Sequence, residues 1–412
     1  MPAEYDCYAI TPPGVESLTA RELVGLGIQP EGTEPGGVSF RAPAAGLHAA
    51  NLELRTASRI LVRLGSFHAA SFAELERRTG RLAWDRFLGP DVVPEFRVTS
   101  RKSRLYHQGA VEERLARIVE NRREGARRGG NGREQLFVVR LFRDECTVSV
   151  DSSGELLHRR GYRRDAGEAP LRETLAAAML LESGWDGRTP LADPFCGSGT
   201  IAIEAALLAR RIAPGLHRSF AFERWPETDH GAWARIRSGA QGRALPRAPA
   251  PIIGADRDAR AIEAAAENAA RAGVAADLEL RRAPVAAFVA PASTGHIVTN
   301  PPYGVRVGER AKLRGLYVQF GRMVRERCPG WEVTMLSPRP ELEHATGLPF
   351  TSRLLTSNGG LRVRIVSTRE ATTRAGGSAG GAPSTASGSV RAARGASARR
   401  RGGPGRARNR GG

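Results

Sequence analysis

The chain has 412 residues, 41% of them hydrophobic, enough for two or three domains with substantial cores, which excludes a chain disordered throughout. Its first residues, MPAEYDCYAITPPG, hold acids and no long apolar run, so neither a signal peptide nor a membrane-spanning helix is read there and a cytoplasmic protein is expected. The formal net charge is +19, from 62 basic residues of which only Lys102 and Lys312 are lysines, and such an excess suits a polyanionic partner. Part of that arginine bias can equally reflect a GC-rich genome. Four widely spaced cysteines, Cys7, Cys146, Cys196 and Cys328, form no C-x-x-C pair, and the eight histidines show no metal-ligand spacing. Buried thiols and no metal are expected.

In chain order, Tyr5 to Thr11 alternates as a strand, Glu16 to Leu26 reads as an amphipathic helix and Gly37 to Arg41 as another strand. A helix and a strand follow between Leu47 and Arg63, then a helix at Ser71 to Arg81, a strand at Glu95 to Ser100, a helix at Val111 to Arg123, and a hairpin from Gln135 to Val150. Between strand and helix stands SRKSRLYHQG, residues 100–109, where Arg101, Lys102, Arg104 and His107 surround Tyr106. Cations beside an aromatic ring suit phosphates and an unpaired base, although a charge run is also the ordinary mark of a solvated loop. The same two readings apply to Arg159, Arg160, Arg163 and Arg164 in LHRRGYRRD.

From near Pro170 the pattern changes to alternating helices and strands. Leu171 to Leu181 reads as a helix feeding a strand at Leu191, and a helix runs on to about Arg211. Residues 212–250, proline-rich and holding Trp225 and Trp233, form an insertion. PIIGADRD, residues 251–258, is a buried strand ending in Asp256, with a helix from Ala259 to Ala272 behind it. Strands recur at Asp277 to Arg281, His296 to Thr299, Trp331 to Ser337, Ser352 to Thr356 and Leu361 to Thr368. This alternation requires a mostly parallel, doubly wound sheet. The final stretch, 371–412, has nine arginines, no acids and few large apolar residues, so it is expected to be disordered, either as a solubilising extension or as an RNA tether that acts through phosphate neutralisation.

Two motifs carry chemistry. In LADPFCGSGTIAIEAA, residues 191–206, Asp193 and Pro194 end a strand, and Gly197-Ser198-Gly199 opens a turn before a helix, with Ala202 completing the G-x-G-x-x-A spacing of a dinucleotide turn. Two glycines leave bare backbone that a ligand can approach. A carboxylate just before the turn repels a pyrophosphate but accepts a hydrogen bond from an ammonium group, which points to S-adenosylmethionine. The alternative is Asp193 as a plain helix-entry residue. Asp256, at the end of the next strand, suits ribose hydroxyls, and its separation of 57 residues from Gly199 is far from the roughly 20 of a dinucleotide dehydrogenase. The second motif, Asn300-Pro301-Pro302-Tyr303, follows the strand HIVT directly. An exocyclic base amine is a poor nucleophile because its lone pair is delocalised into the ring. The Asn300 side-chain oxygen and a carbonyl of the proline-fixed backbone can grip its two hydrogens and aim the lone pair at an electrophilic methyl, while Tyr303 stacks on the base. Cys196 suggests a rival covalent attack on a pyrimidine, but it lies within the cofactor turn and is read as packing.

DPFCGSGT and NPPYG resemble the cofactor and target-amine motifs of class I methyltransferases. RRGYR, APLRETLAAAML and LYVQFGRMVRERCPGW resemble the THUMP-bearing RNA guanine-N2 branch, in particular the bacterial 23S rRNA guanine-N2 methyltransferases in a form with a single methyltransferase domain. The resemblance covers most of residues 1–368. It implies an α/β fold: a Rossmann-like, seven-stranded methyltransferase domain over 166–370, preceded by a ferredoxin-like subdomain at 1–65 and a THUMP RNA-binding domain at 66–165, with the tail at 371–412. It places Asp193, Phe195, Cys196, Gly197, Gly199 and Thr200 on the cofactor loop, Asp256 on the ribose, Asn300 to Tyr303 on the target base, and RNA as the partner. One departure is clear: where the family commonly offers an acid to the adenine amine, this chain has Arg282 and Ala283. Guanine-N2 methylation of tRNA, adenine-N6 methylation and non-catalytic RNA binding remain open as rivals.

Overall fold

The computed structural model describes residues 4–122, 133–163, 171–303 and 310–369. Arg164 and the basic tail at 371–412 lie outside the described residues. The chain begins β1 (Tyr5–Ile10), α1 (Glu16–Gly25), β2 (Pro30–Glu34), β3 (Gly37–Ala42), α2 (Ala44–Glu53), β4 (Arg59–His68), α3 (Phe72–Thr79), β5 (Val92–Arg101), α4 (Gln108–Arg122), β6 (Arg133–Phe142) and β7 (Glu145–Asp151). These seven strands form one sheet in the order β2-β3-β1-β4-β7-β6-β5. Period-two alternation explains its sidedness: Cys7, Ala9, Val38, Phe40, Val62, Val139 and Val148 are buried on the face covered by α1, α2 and α4. Tyr8, Arg63, Arg140 and Thr147 fall on the other face, which is open enough to leave Arg140 exposed.

The second half is α5 (Glu173–Ser183), β8 (Leu191–Asp193), α6 (Thr200–Ala209), α7 (His230–Gly242), β9 (Ile252–Asp256), α8 (Ala259–Arg271), β10 (Leu278–Arg282), β11 (Thr294–Thr299), α9 (Arg310–Arg327), β12 (Gly330–Ser337), α10 (Pro340–Thr346), β13 (Thr351–Asn358) and β14 (Leu361–Ser367). The sheet order is β10-β9-β8-β11-β12-β14-β13. The first five strands are parallel, and β14 runs antiparallel to both β12 and β13. The doubly wound parallel sheet read from the sequence is therefore present, with an antiparallel hairpin closing its edge. Among the described residues, no helix is long and apolar enough to cross a membrane.

The stretch 212–250 packs onto the first half of the chain. Trp225 stands edge-on to Phe87, with ring centroids 4.8 Å apart, and its indole N–H donates to Gln135 Oε1 at 2.9 Å. Phe222 stacks on buried His48 with centroids 4.1 Å apart. Within this stretch Asp229 caps α7 by accepting from the Ala232 N–H at 2.8 Å. These buried aromatics make one continuous core through both sheets.

Candidate active site

The order of the second sheet reverses between β8 and β11, and the crevice outside the carboxyl ends of two such strands is where open α/β sheets bind ligands. Both strand ends carry polar groups. Asp193, the last residue of β8, is 1% exposed, and its Oδ1 accepts from Thr299 Oγ1 at 2.6 Å and from the Phe195 N–H at 3.2 Å. Thr299 ends β11, so one carboxyl straps the two strands across the switch point. Burial pushes the Asp193 carboxyl up to about 7, with Asp256 adding to the rise and the two hydrogen bonds opposing it. A cation arriving beside it would restore the ionised form.

The turn after Asp193 is held to β9. The Cys196 N–H donates to the Ala255 carbonyl at 2.9 Å, and the Gly197 N–H donates to Asp256 Oδ2 at 3.0 Å. The other oxygen, Oδ1, accepts from the Asp258 N–H at 3.0 Å, so the carboxylate expected on the ribose also fixes the turn. Gly199 has φ +83°, and a Cβ there would meet the Ala265 Cβ at 2.9 Å, which requires glycine for the approach of α6 to α8. Gly197 has φ +50° and open space where a side chain would be. The Cys196 thiol is buried, and burial raises its pKa, with Asp193 and Asp256 adding to the rise, which disfavours the thiolate that a covalent attack needs.

These residues open onto a cavity of about 780 Å³. Asp193, Phe195, Cys196, Gly197, Thr200 and Asp256 line it, as do Asn300 and Pro302. Gly199, Pro301 and Tyr303 lie outside its lining. Beyond β10, Ala283, Pro284 and Val285 form an apolar wall, the Ala283 N–H is committed to the Asp256 carbonyl at 2.9 Å, and Arg282 is exposed. Asn300, first after β11, has a buried side-chain oxygen with no hydrogen-bond partner. Such an atom costs free energy unless a donor reaches it. Tyr303 is half-buried beside the cavity, and its hydroxyl accepts from Asn358 Nδ2 at 2.7 Å, at the end of β13.

The basic loop lies at the far end of the first sheet. Arg101, Lys102, Arg104 and His107 are exposed, and Tyr106 is 78% exposed. The tip of the β6–β7 hairpin straps the loop: the Arg104 N–H donates to Asp144 Oδ1 at 2.7 Å, and the Asp144 N–H donates to Ser103 Oγ at 3.0 Å. Four non-glycine residues among those described have positive φ, and three of them, Lys102, Arg143 and Asp144, meet here. The hairpin adds Arg140 and Arg143, whose guanidiniums lie 5.9 and 5.2 Å from the ring centre of half-exposed Phe142. Sequence reasoning missed these because a hairpin alternation assigns strands and says nothing of what its turn sits against. It also missed Thr299, whose only sequence signal was its place at the end of the fourth strand.

A seven-stranded sheet of this order, with acids ending β8 and β9, a glycine turn between them, and Asn-Pro-Pro-Tyr after β11, defines a class I methyltransferase. Residues 160–362 match the family described as "RMKL-like, methyltransferase domain", and residues 6–61 match the "RlmL ferredoxin-like domain". The chain belongs to this RMKL-like methyltransferase family. It is 35% identical to the "Putative RNA methyltransferase YpsC" of Bacillus subtilis over 86% of this chain and 94% of the relative. It is 37% identical to the "Ribosomal RNA large subunit methyltransferase K/L" of Methylococcus capsulatus, over 89% of this chain but only 51% of that relative, so it spans about half the length of the K/L protein. Among solved structures, "SMU.472, a putative methyltransferase complexed with SAH" superposes with a TM-score of 0.81 at 30% identity, covering 89% of this chain and 98% of that one.

Proposed function

We propose that the protein transfers a methyl group from S-adenosylmethionine to the exocyclic N2 amine of a guanine in RNA, and that the RNA is 23S ribosomal RNA. The cofactor is S-adenosylmethionine, and the site suits each part of it. Asp193 offers a carboxyl to the ammonium, Asp256 keeps acceptor capacity for ribose hydroxyls, the bare backbone at Gly197 admits the amino-acid end, and the wall of Ala283, Pro284 and Val285 takes the adenine ring. When bound, the cofactor supplies a methyl carbon made electrophilic by a cationic sulfur.

The observation that carries the reading is the unpartnered, buried Asn300 oxygen at the wall of that same cavity. It can accept one hydrogen of the target amine and turn the nitrogen lone pair toward the cavity, and a carbonyl fixed by Pro301 and Pro302 can take the other. Because the oxygen is already desolvated, little reorganisation remains at the moment of reaction. The amine proton leaves after attack, so no buried general base is needed. A target base must leave its stack to reach Asn300. The exposed cations at 101–107 and at Arg140 and Arg143 can hold the flanking phosphates, with Tyr106 and Phe142 available to unpaired bases. On this reading residues 66–165 form the THUMP unit that holds RNA, and the K/L relatives, named as ribosomal RNA large subunit methyltransferases, support large-subunit rRNA as the substrate.

Mass mapping of methylated nucleosides in 23S rRNA and tRNA from a strain lacking the gene tests this. Loss of one N2-methylguanosine from 23S rRNA is expected. Loss from tRNA alone would move the substrate, loss of N6-methyladenine would move the base, and an unchanged map would overturn the reading.

A further inference from the structure

The arginine run at 159–163 has two faces. Arg159 is exposed and pairs loosely with Glu155, whereas the side chains of Arg160 and Arg163 are only 3% and 11% exposed and cannot reach a polyanion. Arg160 donates to the Leu157 carbonyl at 2.6 Å and the Arg55 carbonyl at 2.5 Å, whereas Arg163 holds residues of the cofactor-cavity wall. Arg163 donates from both terminal nitrogens to the Leu171 carbonyl at 3.2 Å, donates to Thr200 Oγ1, and pairs with Glu173 at 3.5 Å. Leu171 and Thr200 are both cavity-wall residues. A second arm leaves Tyr162, whose carbonyl accepts from Arg271 Nε at 2.7 Å. Arg271 Nη2 then donates to Asn268 Oδ1 at 2.7 Å, and Asn268 Nδ2 donates to the carbonyl of Ser198, another wall residue, at 3.0 Å. The Tyr162 hydroxyl and Arg160 both reach Glu204, at 3.2 and 3.4 Å, one helical turn after Thr200 on the same face of α6.

We infer that Arg163 is a positioning residue of the cofactor site: residues 162 and 163 clamp Leu171, Ser198 and Thr200, and so set the shape of the loop that holds the amino-acid end of S-adenosylmethionine. The inference rests on the proposed cofactor. An anchor that merely joined the two halves of the chain could grip α6 anywhere. Here two independent arms from adjacent residues end on the cavity wall, one at each side of Gly199. Arginine suits the position because its five donors are spread over a rigid planar fork that spans a carbonyl, a hydroxyl and a carboxylate, whereas lysine concentrates its donors on one compact ammonium.

The test is S-adenosylhomocysteine binding by the full chain, measured by calorimetry beside thermal melting without ligand and RNA binding by gel shift. Arg163→Ala is expected to weaken cofactor binding at least about tenfold, the scale of losing hydrogen bonds to a charged group, with RNA binding unmoved. Arg163→Lys is expected to recover part of that loss. Asn268→Ala, in the second arm, is expected to weaken cofactor binding in the same direction. Should Arg163→Ala fail to fold, Arg163→Lys and Asn268→Ala decide the matter: weakened binding in folded protein supports the clamp. Wild-type cofactor affinity in the folded variants, whatever their melting temperature, would reduce the segment to an anchor and overturn the inference. So would loss of RNA binding with intact cofactor affinity. Failure of the wild-type chain itself to bind the ligand would instead sink the cofactor assignment.

Discussion

Asp193→Asn separates the charge of the β8 carboxyl from its geometry. Asparagine keeps a side-chain oxygen to accept from Thr299 and from the Phe195 N–H, so the strap between β8 and β11 survives while the negative charge is lost. In the wild-type protein burial pushes this carboxyl up to about 7. Only the ionised form can hold an ammonium, so apparent affinity scales with the ionised fraction, about one half at pH 7 and about one tenth at pH 6. S-adenosylhomocysteine should therefore bind about fivefold more weakly at pH 6 than at pH 7, approaching about tenfold per unit below that. The ligand's own amine, a free amino-acid ammonium whose neighbouring carboxylate holds it above a peptide N-terminus, stays charged through about pH 5.5–7. The variant should bind roughly 10–100-fold more weakly at pH 7, the scale of a charged hydrogen bond, and with no such slope. Calorimetry over this range, repeated in two buffers of different ionisation enthalpy, would register proton release on binding near pH 6.5 in the wild type alone. The sign for stability runs the other way: a carboxyl whose folded pKa lies above its unfolded value costs stability as pH rises through about 4 to 7, and the bound ammonium offsets that cost. Flat wild-type binding across the range, or the same slope surviving in Asp193→Asn, would refute the argument.

Asn300→Ala should lower single-turnover methyl transfer about 10²–10³-fold, by analogy with losing one positioned oxyanion-hole donor, while leaving S-adenosylhomocysteine affinity close to wild type. Parallel loss of both would make the Asn-Pro-Pro-Tyr turn structural. Asp256→Ala should weaken cofactor binding by at least about 1.5–3 kcal/mol, since it removes the ribose acceptor and also frees the Gly197 N–H; an unchanged dissociation constant would move the ribose elsewhere. Tyr303→Phe strands the Asn358 amide, and a cost of about 0.5–1.5 kcal/mol should appear in thermal stability before it appears in transfer rate; an unchanged melting temperature would mean that this hydrogen bond contributes nothing.

Most of the doubly wound half was legible because its strands are short apolar runs bounded by turn residues, as with Leu191–Asp193 and Ile252–Asp256. The cavity residues Asp193, Asp256 and Asn300 were legible for a related reason: each stands at the end of such a run, where topology brings ligands. β2 was not read because PEGTE has no apolar alternation; it is an edge strand with nearly every side chain in solvent. α7 was hidden inside what reads as a proline-rich insertion, although its Asp229 cap and Trp233 were in view. α9 has no assignment from the sequence, although Tyr317, Phe320, Met323 and Val324 are buried and stand at helical spacing. The inward turn of Arg160 and Arg163 was invisible for a physical reason. A run of arginines reads as solvated unless its partners are known, and Glu173 and Glu204 lie on helices whose burial is not encoded near the run. The placement of Tyr303 was also only half legible, since the motif supplies the ring but not Asn358, which holds its hydroxyl 55 residues away.

The three left-handed residues that meet at the loop tip, Lys102, Arg143 and Asp144, matter to anyone who would engineer this protein. Left-handed backbone costs a residue with a side chain roughly 1–2 kcal/mol, which glycine escapes. Glycine at Lys102 or Arg143 is therefore the kind of change that a screen for heat tolerance rewards. Each such change also deletes a cation from the exposed basic cluster that the loop forms with the β6–β7 turn. On the proposed RNA-binding role of this cluster, a thermostabilised variant selected without RNA present would drift toward a tougher scaffold with a blunter grip. Asp144 is exempt, because its carboxylate holds the Arg104 backbone and its loss would release the loop. Stability and charge are traded against each other at the tip, and selection on one alone degrades the other.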